Sequence, residues 1–259
     1  SYSGEFTMRM IPDYSTFNIM NSQEQMSVYE EMYQKGWLNY SSTVYNATGG
    51  VYQKLSQLIN TYDPTTGRYM VENTPAGRAA YLRQAEMRNT DWFKELFRNT
   101  IQHNHSISIS SGTEKGSYYA SIGVLADPGW TVQSKVRRYI IGNASYRNQR
   151  APGSLSSEVD PVFGTVKRDF DINPYSYALR SSRTLDPDEF YTRNYAPFNI
   201  KHELNNNYMD INVGDIKVQA ELKWEPIKEL SISALGAVRY QQSTTEHHIR
   251  DDSNQAEAY

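Results

Sequence analysis

Asp215-Ile216-Lys217-Val218-Gln219-Ala220-Glu221-Leu222-Lys223-Trp224 decides the fold. Ile216, Val218, Ala220, Leu222 and Trp224 alternate without exception with Asp215, Lys217, Gln219, Glu221 and Lys223. Successive side chains of a strand point to opposite faces, so this run predicts a strand with one apolar and one charged face. Glu225-Pro226-Ile227-Lys228-Glu229 is a tight turn. Beyond it Leu230, Ile232, Ala234, Gly236, Val238 and Tyr240 alternate with Ser231, Ser233, Arg239 and Gln241. Each run has about ten residues, the length a tilted strand needs to cross a bilayer. A soluble β-sandwich alternates as well. Three features point instead to a membrane barrel. The apolar runs end in the aromatics Trp224 and Tyr240, where an interfacial girdle sits. The polar face is charged at full density, as a wet lumen requires. Short turns alternate with very long connections, the asymmetry of outer-membrane barrels.

The composition narrows the class further. The 259 residues carry 26 Lys plus Arg against 29 Asp plus Glu, a net charge of −3, which excludes a basic nucleic-acid footprint. With no cysteine there is no disulfide scaffold, Cys-ligated zinc or thiol catalysis. Only 38% of the residues are hydrophobic and the mean hydropathy is −0.71. No run approaches the length of an apolar transmembrane helix. Tyrosine is in excess, with 21 Tyr against 8 Phe and 4 Trp.

Working outward, Phe6, Met8 and Met10 alternate with Thr7 and Arg9, predicting a half-buried strand over residues 1–11 that Pro12 ends. A helix is predicted from Ser22 to Lys35, with Ser22 and Gln25 as a capping box, Met26, Tyr29, Met32 and Tyr33 on one face, and Gly36 at C′. Residues 37–77 read as aperiodic, with a turn at Asp63-Pro64 and Gly67. Helical spacing returns from Pro75 to Arg88, and Thr90 or Asp91 can cap one more short helix. The period then changes to two. His105, Ile107 and Ile109 alternate with serines, and Tyr118, Ala120, Ile122 and Val124 with Tyr119, Ser121 and Gly123. A third strand, 135–146, completes an antiparallel meander.

Several strings resemble one family. Asn89-Thr90-Asp91-Trp92-Phe93-Lys94-Glu95-Leu96-Phe97-Arg98 and Gln102-His103-Asn104-His105-Ser106-Ile107-Ser108-Ile109-Ser110 look like the start of the barrel in SusC/RagA-type TonB-dependent outer-membrane transporters of Bacteroidetes. The pattern continues in Tyr118-Tyr119-Ala120-Ser121-Ile122-Gly123 and Asn173-Pro174-Tyr175-Ser176-Tyr177-Ala178-Leu179. It recurs in Arg193-Asn194-Tyr195-Ala196-Pro197-Phe198-Asn199-Ile200, and Ile19-Met20-Asn21-Ser22-Gln23-Glu24-Gln25 resembles the stretch just after the plug. The resemblance implies a plugged 22-stranded barrel. It also implies import of oligosaccharides or peptides powered through TonB, beneath a SusD-like surface lipoprotein. Residues 1–259 contain no recognisable plug, TonB box or signal peptide, so the expectation is a segment of such a transporter.

Side chains able to do chemistry are few. His103-x-His105 places two imidazoles on one strand face, a chelating spacing without a third ligand, so a structural role is expected. His247 and His248 point to opposite faces. Asp186-x-Asp188-Glu189 offers hard oxygens but lacks the glycine and spacing of an EF-hand loop, and reads as a solvated turn. Neither a Gly-x-Ser-x-Gly elbow nor a Gly-rich phosphate loop is present, and no carboxylate pair stands out for glycosidase work. The loop aromatics are more informative, because amphipathic rings stack on sugars or peptides.

The resulting expectation is an all-β chain with a few short helices in loops, a segment of an antiparallel transmembrane β-barrel in the bacterial outer membrane. Its parts are a strand over 1–11, a long loop with helices over 12–101 and a meander over 102–149. A long extracellular loop (150–210), a hairpin (211–242) and the start of the next loop (243–259) follow. Ligand or partner contacts are assigned to Trp37, Tyr40, Trp130, Tyr175, Tyr177, Tyr191 and Tyr195. Asp215, Lys217, Glu221, Lys223 and Arg239 are assigned to the lumen. No metal, cofactor, nucleic acid or catalytic residue is expected. The expected partners are membrane lipid, a SusD-like lipoprotein, TonB and a glycan or peptide cargo. The alternative is a soluble β-rich carbohydrate-binding module, which must bury the Ile216–Trp224 face against a second sheet.

Overall fold

The computed structural model describes residues 1–37, 50–134, 137–150, 153–163, 167–169, 172–193 and 196–257. Tyr40 and Tyr195 lie outside them. Seven long strands form one antiparallel sheet: β1 (Tyr2–Arg9), β4 (Thr100–Thr113), β5 (Gly116–Asp127), β6 (Arg137–Arg150), β7 (Gly153–Phe163), β11 (Tyr208–Ile227) and β12 (Leu230–His248), in that spatial order. The short β8 (Lys167–Asp169) pairs with β11 beyond the end of β7. Every neighbour is antiparallel, so the long connections all leave from one end of the sheet. At the other end sit tight turns at Glu114-Lys115 and Lys228-Glu229, and two residues separate β6 from β7.

Two expectations are corrected here. Residues 150–210 are not one loop, because they open with β7, which bridges the meander and the hairpin. Pro161 hides it in the sequence, since a proline argues against a central strand. The ladder to β6 skips the positions facing Asp160 and Pro161, running from Ile141↔Val162 to Ala144↔Val159, as the missing amide requires. The hairpin also outruns residues 211–242: β12 continues through Ser243-Thr244-Thr245-Glu246, expected as loop, to His248.

The long connections fold into a helical cap with its own core. α1 (Ser22–Gln34) is capped by Asn21, whose side chain accepts from the Glu24 amide at 3.0 Å, while Glu24 accepts from the Asn21 amide at 2.8 Å. This corrects the predicted Ser22/Gln25 box. Ser22 Oγ instead donates to the Glu86 carbonyl, and Gln25 Oε1 accepts from the Arg183 amide (2.8 Å) and Ser182 Oγ (3.0 Å). Gly36 follows the helix at φ +73°, as its C′ role predicts. In the stretch read as aperiodic lie α2 (Val51–Leu58) and a hairpin of β2 (Tyr62–Asp63) and β3 (Arg68–Tyr69), with the Asp63-to-Gly67 turn at its tip. α3 (Pro75–Arg88) starts at Thr74 with proline at its first turn, and α4 (Trp92–Leu96) is capped by Asp91. The second long connection adds α5 (Pro174–Arg180), the pair β9 (Tyr191–Arg193) and β10 (Ala196–Phe198), and α6 (Ile200–Asn206). α7 (Asn254–Glu257) follows β12.

Trp92, Phe93 and Leu96 are the centre of the cap, at 2%, 0% and 0% exposure, packed with Tyr14, Ile200 and Leu204. Phe93 meets Tyr14, Phe17 and Tyr175 at ring-centroid distances of 4.8, 5.5 and 5.6 Å. Two polar groups brought into this core are satisfied: Trp92 Nε1 donates to the Ser182 carbonyl (2.9 Å) and Tyr29 to Ser182 Oγ (3.1 Å). Phe93→Ala is expected to destabilise the cap by about 3–5 kcal/mol and leave the sheet ladder intact. Limited proteolysis that cuts residues 12–99 sooner, without loss of β circular dichroism, is the check.

Candidate functional site

Residues paired across a ladder project to the same face, so the register sorts every strand position. Gly4, His105, Val124, Ile140, Phe163, Gly214 and Gln242 form one continuous row. The face to which this row belongs carries an apolar band that runs from β1 to β12. It carries Tyr2, Phe6 and Met8 on β1, Ile101, Ile107 and Ile109 on β4, and Tyr118, Ile122 and Val124 on β5. The Ile216–Trp224 series and its partners on β12 continue it. Its side chains stand open, Val238 at 73% and Phe6 at 67% exposure. Among the described residues no second sheet covers them.

The apolar band does not run straight across the strands. Relative to that row, its cap-side limit lies four residues capward on β1 (Met8) and β4 (Ile101), but two residues turnward on β12 (Tyr240). Its turn-side limit is four residues away on β4 (Ile109), six on β5 (Tyr118) and β6 (Tyr146), and ten on β11 (Trp224). Each limit shifts by six residues, or about 20 Å at ~3.3 Å per residue. The upper shift spreads over six strand spacings and the lower over four, each about 4.8 Å. The band is therefore inclined by about 35–45° to the perpendicular across the strands. Tyr118, Tyr146 and Trp224 mark one margin and Tyr240 the other.

The opposite face is polar. Asp215, Lys217, Glu221, Lys223 and Arg239 all lie on it, as the alternation predicts. Arg239 Nε donates to both Asp215 carboxylate oxygens at 2.9 and 3.1 Å, and Lys223 pairs with Glu225 at 2.6 Å. Serine pairs line it towards β1, with Ser3 and Ser106 hydroxyls 2.6 Å apart and Ser1 and Ser108 hydroxyls 2.7 Å apart. A cavity of about 500 Å³ near the turns is lined by Ser110, Tyr119, Arg147, Gln219 and Glu221.

Most of the singled-out aromatics build the cap. Trp130 donates its indole N–H to the Met10 carbonyl (3.1 Å) and packs on Phe97 (4.8 Å) and Tyr175 (6.0 Å). Tyr177 meets Trp92 edge-on at 5.2 Å. The Tyr191 hydroxyl accepts from the Asp186 amide (2.7 Å) and donates to Glu189 (3.3 Å). Trp37 is different: 52% exposed, with the Lys35 ammonium 4.8 Å from its ring centroid. The Tyr33 and Tyr52 rings stack 4.6 Å apart, with Tyr33 exposed. The Asp186–Glu189 acids already face partners, since Arg88 reaches Asp186 (3.4 Å) and Lys201 reaches Asp188 (3.0 Å). His103 and His105 lie on the apolar face with rings 5.2 Å apart, and Tyr2 bonds His105 Nδ1 at 2.7 Å. Among the described residues no group of three or more His, Asp or Glu converges as a metal site.

No protein-family model matches the chain, and no curated protein matches it. Solved structures do. The RagAB peptide transporter superposes with a TM-score of 0.65 at 16% identity, over 94% of this chain and 28% of the matched chain. The RagAB peptide importer gives 0.60 at 17% identity in its closed-closed state and 0.57 at 16% in its open-open state, over 96% and 94% of this chain and 29% and 28% of the matched chains. The likeness is one of fold, and this chain spans less than a third of the chains it matches.

The cap's phenols give it a pH limit. Burial pushes Tyr52 and Tyr177 up to about 12, and it also raises Tyr14, Tyr81 and Tyr191. An unfolded cap ionises from its ordinary phenol value of 10.0. The phenols' contribution to cap stability is therefore constant below pH 10 and falls as the pH climbs from 10, and the Tyr52 and Tyr177 share is gone above about 12. Ultraviolet titration is expected to resolve a late class of tyrosines that ionise together with loss of aromatic circular dichroism. A single step for all tyrosines near the ordinary value would contradict it.

Proposed function

We propose that residues 1–259 form part of the wall and outer cap of a SusC/RagA-like outer-membrane transporter. The inclined apolar band carries this reading. Strands of membrane barrels tilt by about 35–45° from the membrane normal, so a flat slab of lipid crosses them as a diagonal stripe of just this slope, edged by aromatic rings. A soluble sheet has no reason to incline its apolar residues against its own ladder. The fold shared with RagAB transporter chains supports the same conclusion.

In this reading the polar face with Asp215, Lys217, Glu221, Lys223 and Arg239 lines the lumen. The cap lies outside the cell, since the long connections of such barrels are extracellular. The exposed Trp37 and the Tyr33–Tyr52 stack offer rings to a SusD-like lipoprotein or to the cargo, an oligosaccharide or peptide. Energy arrives from TonB through a plug, and this segment carries out no covalent step.

Val218→Arg, beside Val238 near the middle of the band, is expected to cost about 2–4 kcal/mol in the bilayer and to remove the folded protein from the outer-membrane fraction. Gln219→Arg, one residue along on the other face, should assemble normally. Equal tolerance of both would sink the membrane assignment. For transport, uptake of labelled peptides and oligosaccharides by cells carrying the intact protein is expected to stop for one class when the proton-motive force is dissipated. Uptake that persists for both contradicts an energised importer.

A further inference from the structure

On β1, β4, β5 and β6 the apolar face carries no carboxylate, yet Arg138 stands at its cap-side margin on β6, and His103 and His105 interrupt it on β4 inside Ile101. Register places Phe6, His103, Ala126 and Arg138 in one row, with His105, Val124 and Ile140 in the next row towards the turns. His105 is engaged by Tyr2, but Nδ1 of His103 is buried without a partner. Arg138 is exposed and makes no hydrogen bond or ion pair among the described residues. Between the two basic residues stands Ala126, whose methyl leaves the row low.

A cation at the edge of a lipid-facing surface, without a protein counter-ion, sits at the depth of lipid headgroups. A guanidinium matches the paired oxygens of a phosphate. We infer that this margin binds the phosphomonoester headgroup of a membrane lipid, seated between Arg138 and His103 over Ala126. The lipid's acyl chains run along Val124, Ile140 and Ile122. Apolar rows beneath the cations favour a lipid over free phosphate, for which one exposed guanidinium holds little. The inference rests on the membrane-wall reading above.

The test uses the full-length protein containing this segment in phosphatidylcholine nanodiscs doped with phosphatidic acid, with protein-retained lipid quantified by mass spectrometry. Phosphatidic acid is expected to be enriched on the protein. The enrichment should fall by about tenfold or more in Arg138→Gln, less in His103→Leu, and recover in part in Arg138→Lys. Arg147→Gln, on the opposite face, should leave it unchanged. Only barrels that migrate as folded in unheated detergent gels are scored, and His103→Leu gives an independent reading if Arg138→Gln fails that criterion. Unchanged enrichment in the folded variants overturns the site, and so does its loss on adding millimolar inorganic phosphate. Failure of the unmodified protein to enter nanodiscs would instead overturn the membrane-wall reading.

Discussion

The backbone ladder is the constraint from which the rest follows. In hydrocarbon an unpaired N–H or C=O has no water to turn to, so the lipid-facing wall proposed above must pair its backbone groups with neighbouring strands. That requirement forces an antiparallel sheet with continuous register, and register then decides which side chains see which solvent. One residue of slip along β11 would put Lys217 and Glu221 where Val218 and Leu222 stand. The alternating sequence and the long paired ladder are thus two expressions of one condition. β7 is the exception: Pro161 cannot donate, and the ladder to β6 is interrupted opposite that residue.

The cap answers to a different logic. Its core closes among aromatic rings and aliphatic side chains from both long connections, with buried amides and carboxylates as ties. Glu203 accepts from the Asn254 amide (2.7 Å) and from Asn207 (2.9 Å). The Asn254 side chain in turn donates to the Arg193, Ala196 and Pro197 carbonyls. These ties anchor the residues just after β12 to the β9–β10 pair and α6. Lys201, bonded to Glu95 (2.5 Å) and Asp188 (3.0 Å), spans the two connections on the surface. Burial disfavours its charge, yet the two carboxylates hold its affinity for the proton above the ordinary lysine value.

Legibility in the sequence followed solvent contrast. Where one face is apolar and the other charged, as from Ile216 to Tyr240, period two is plain. Beyond the band both faces are polar, the period vanishes, and strand residues such as Thr244 and Thr245 read as loop. Helices with local signals, α3 and α4, are readable from Pro75 and Asp91. The start of α1 was displaced by one residue because Ser22-x-x-Gln25 and Asn21-x-x-Glu24 both fit a capping box, and partners 60 to 160 positions away decide between them. Non-local placement also governs the aromatics. Nothing in composition distinguishes Trp130, used up against Met10 and Phe97, from Trp37, which is exposed. The slope of the apolar band was hidden for the same reason, since it exists only once β1 is laid against β4 and β7 against β11.

The cap core draws on residues from Tyr14 to Phe97 and again from Ala178 to Leu204, with the whole β4–β6 meander and β7 between them in the chain. A ribosome or a secretion channel delivers the first set long before the second. During that interval Trp92, Phe93 and Leu96 have no lid, and the polar partners that Ser182 and Arg183 supply do not yet exist. Until the second set arrives, the apolar surface of the first lacks the partners that cover it in the folded cap, a state in which aggregation competes with folding.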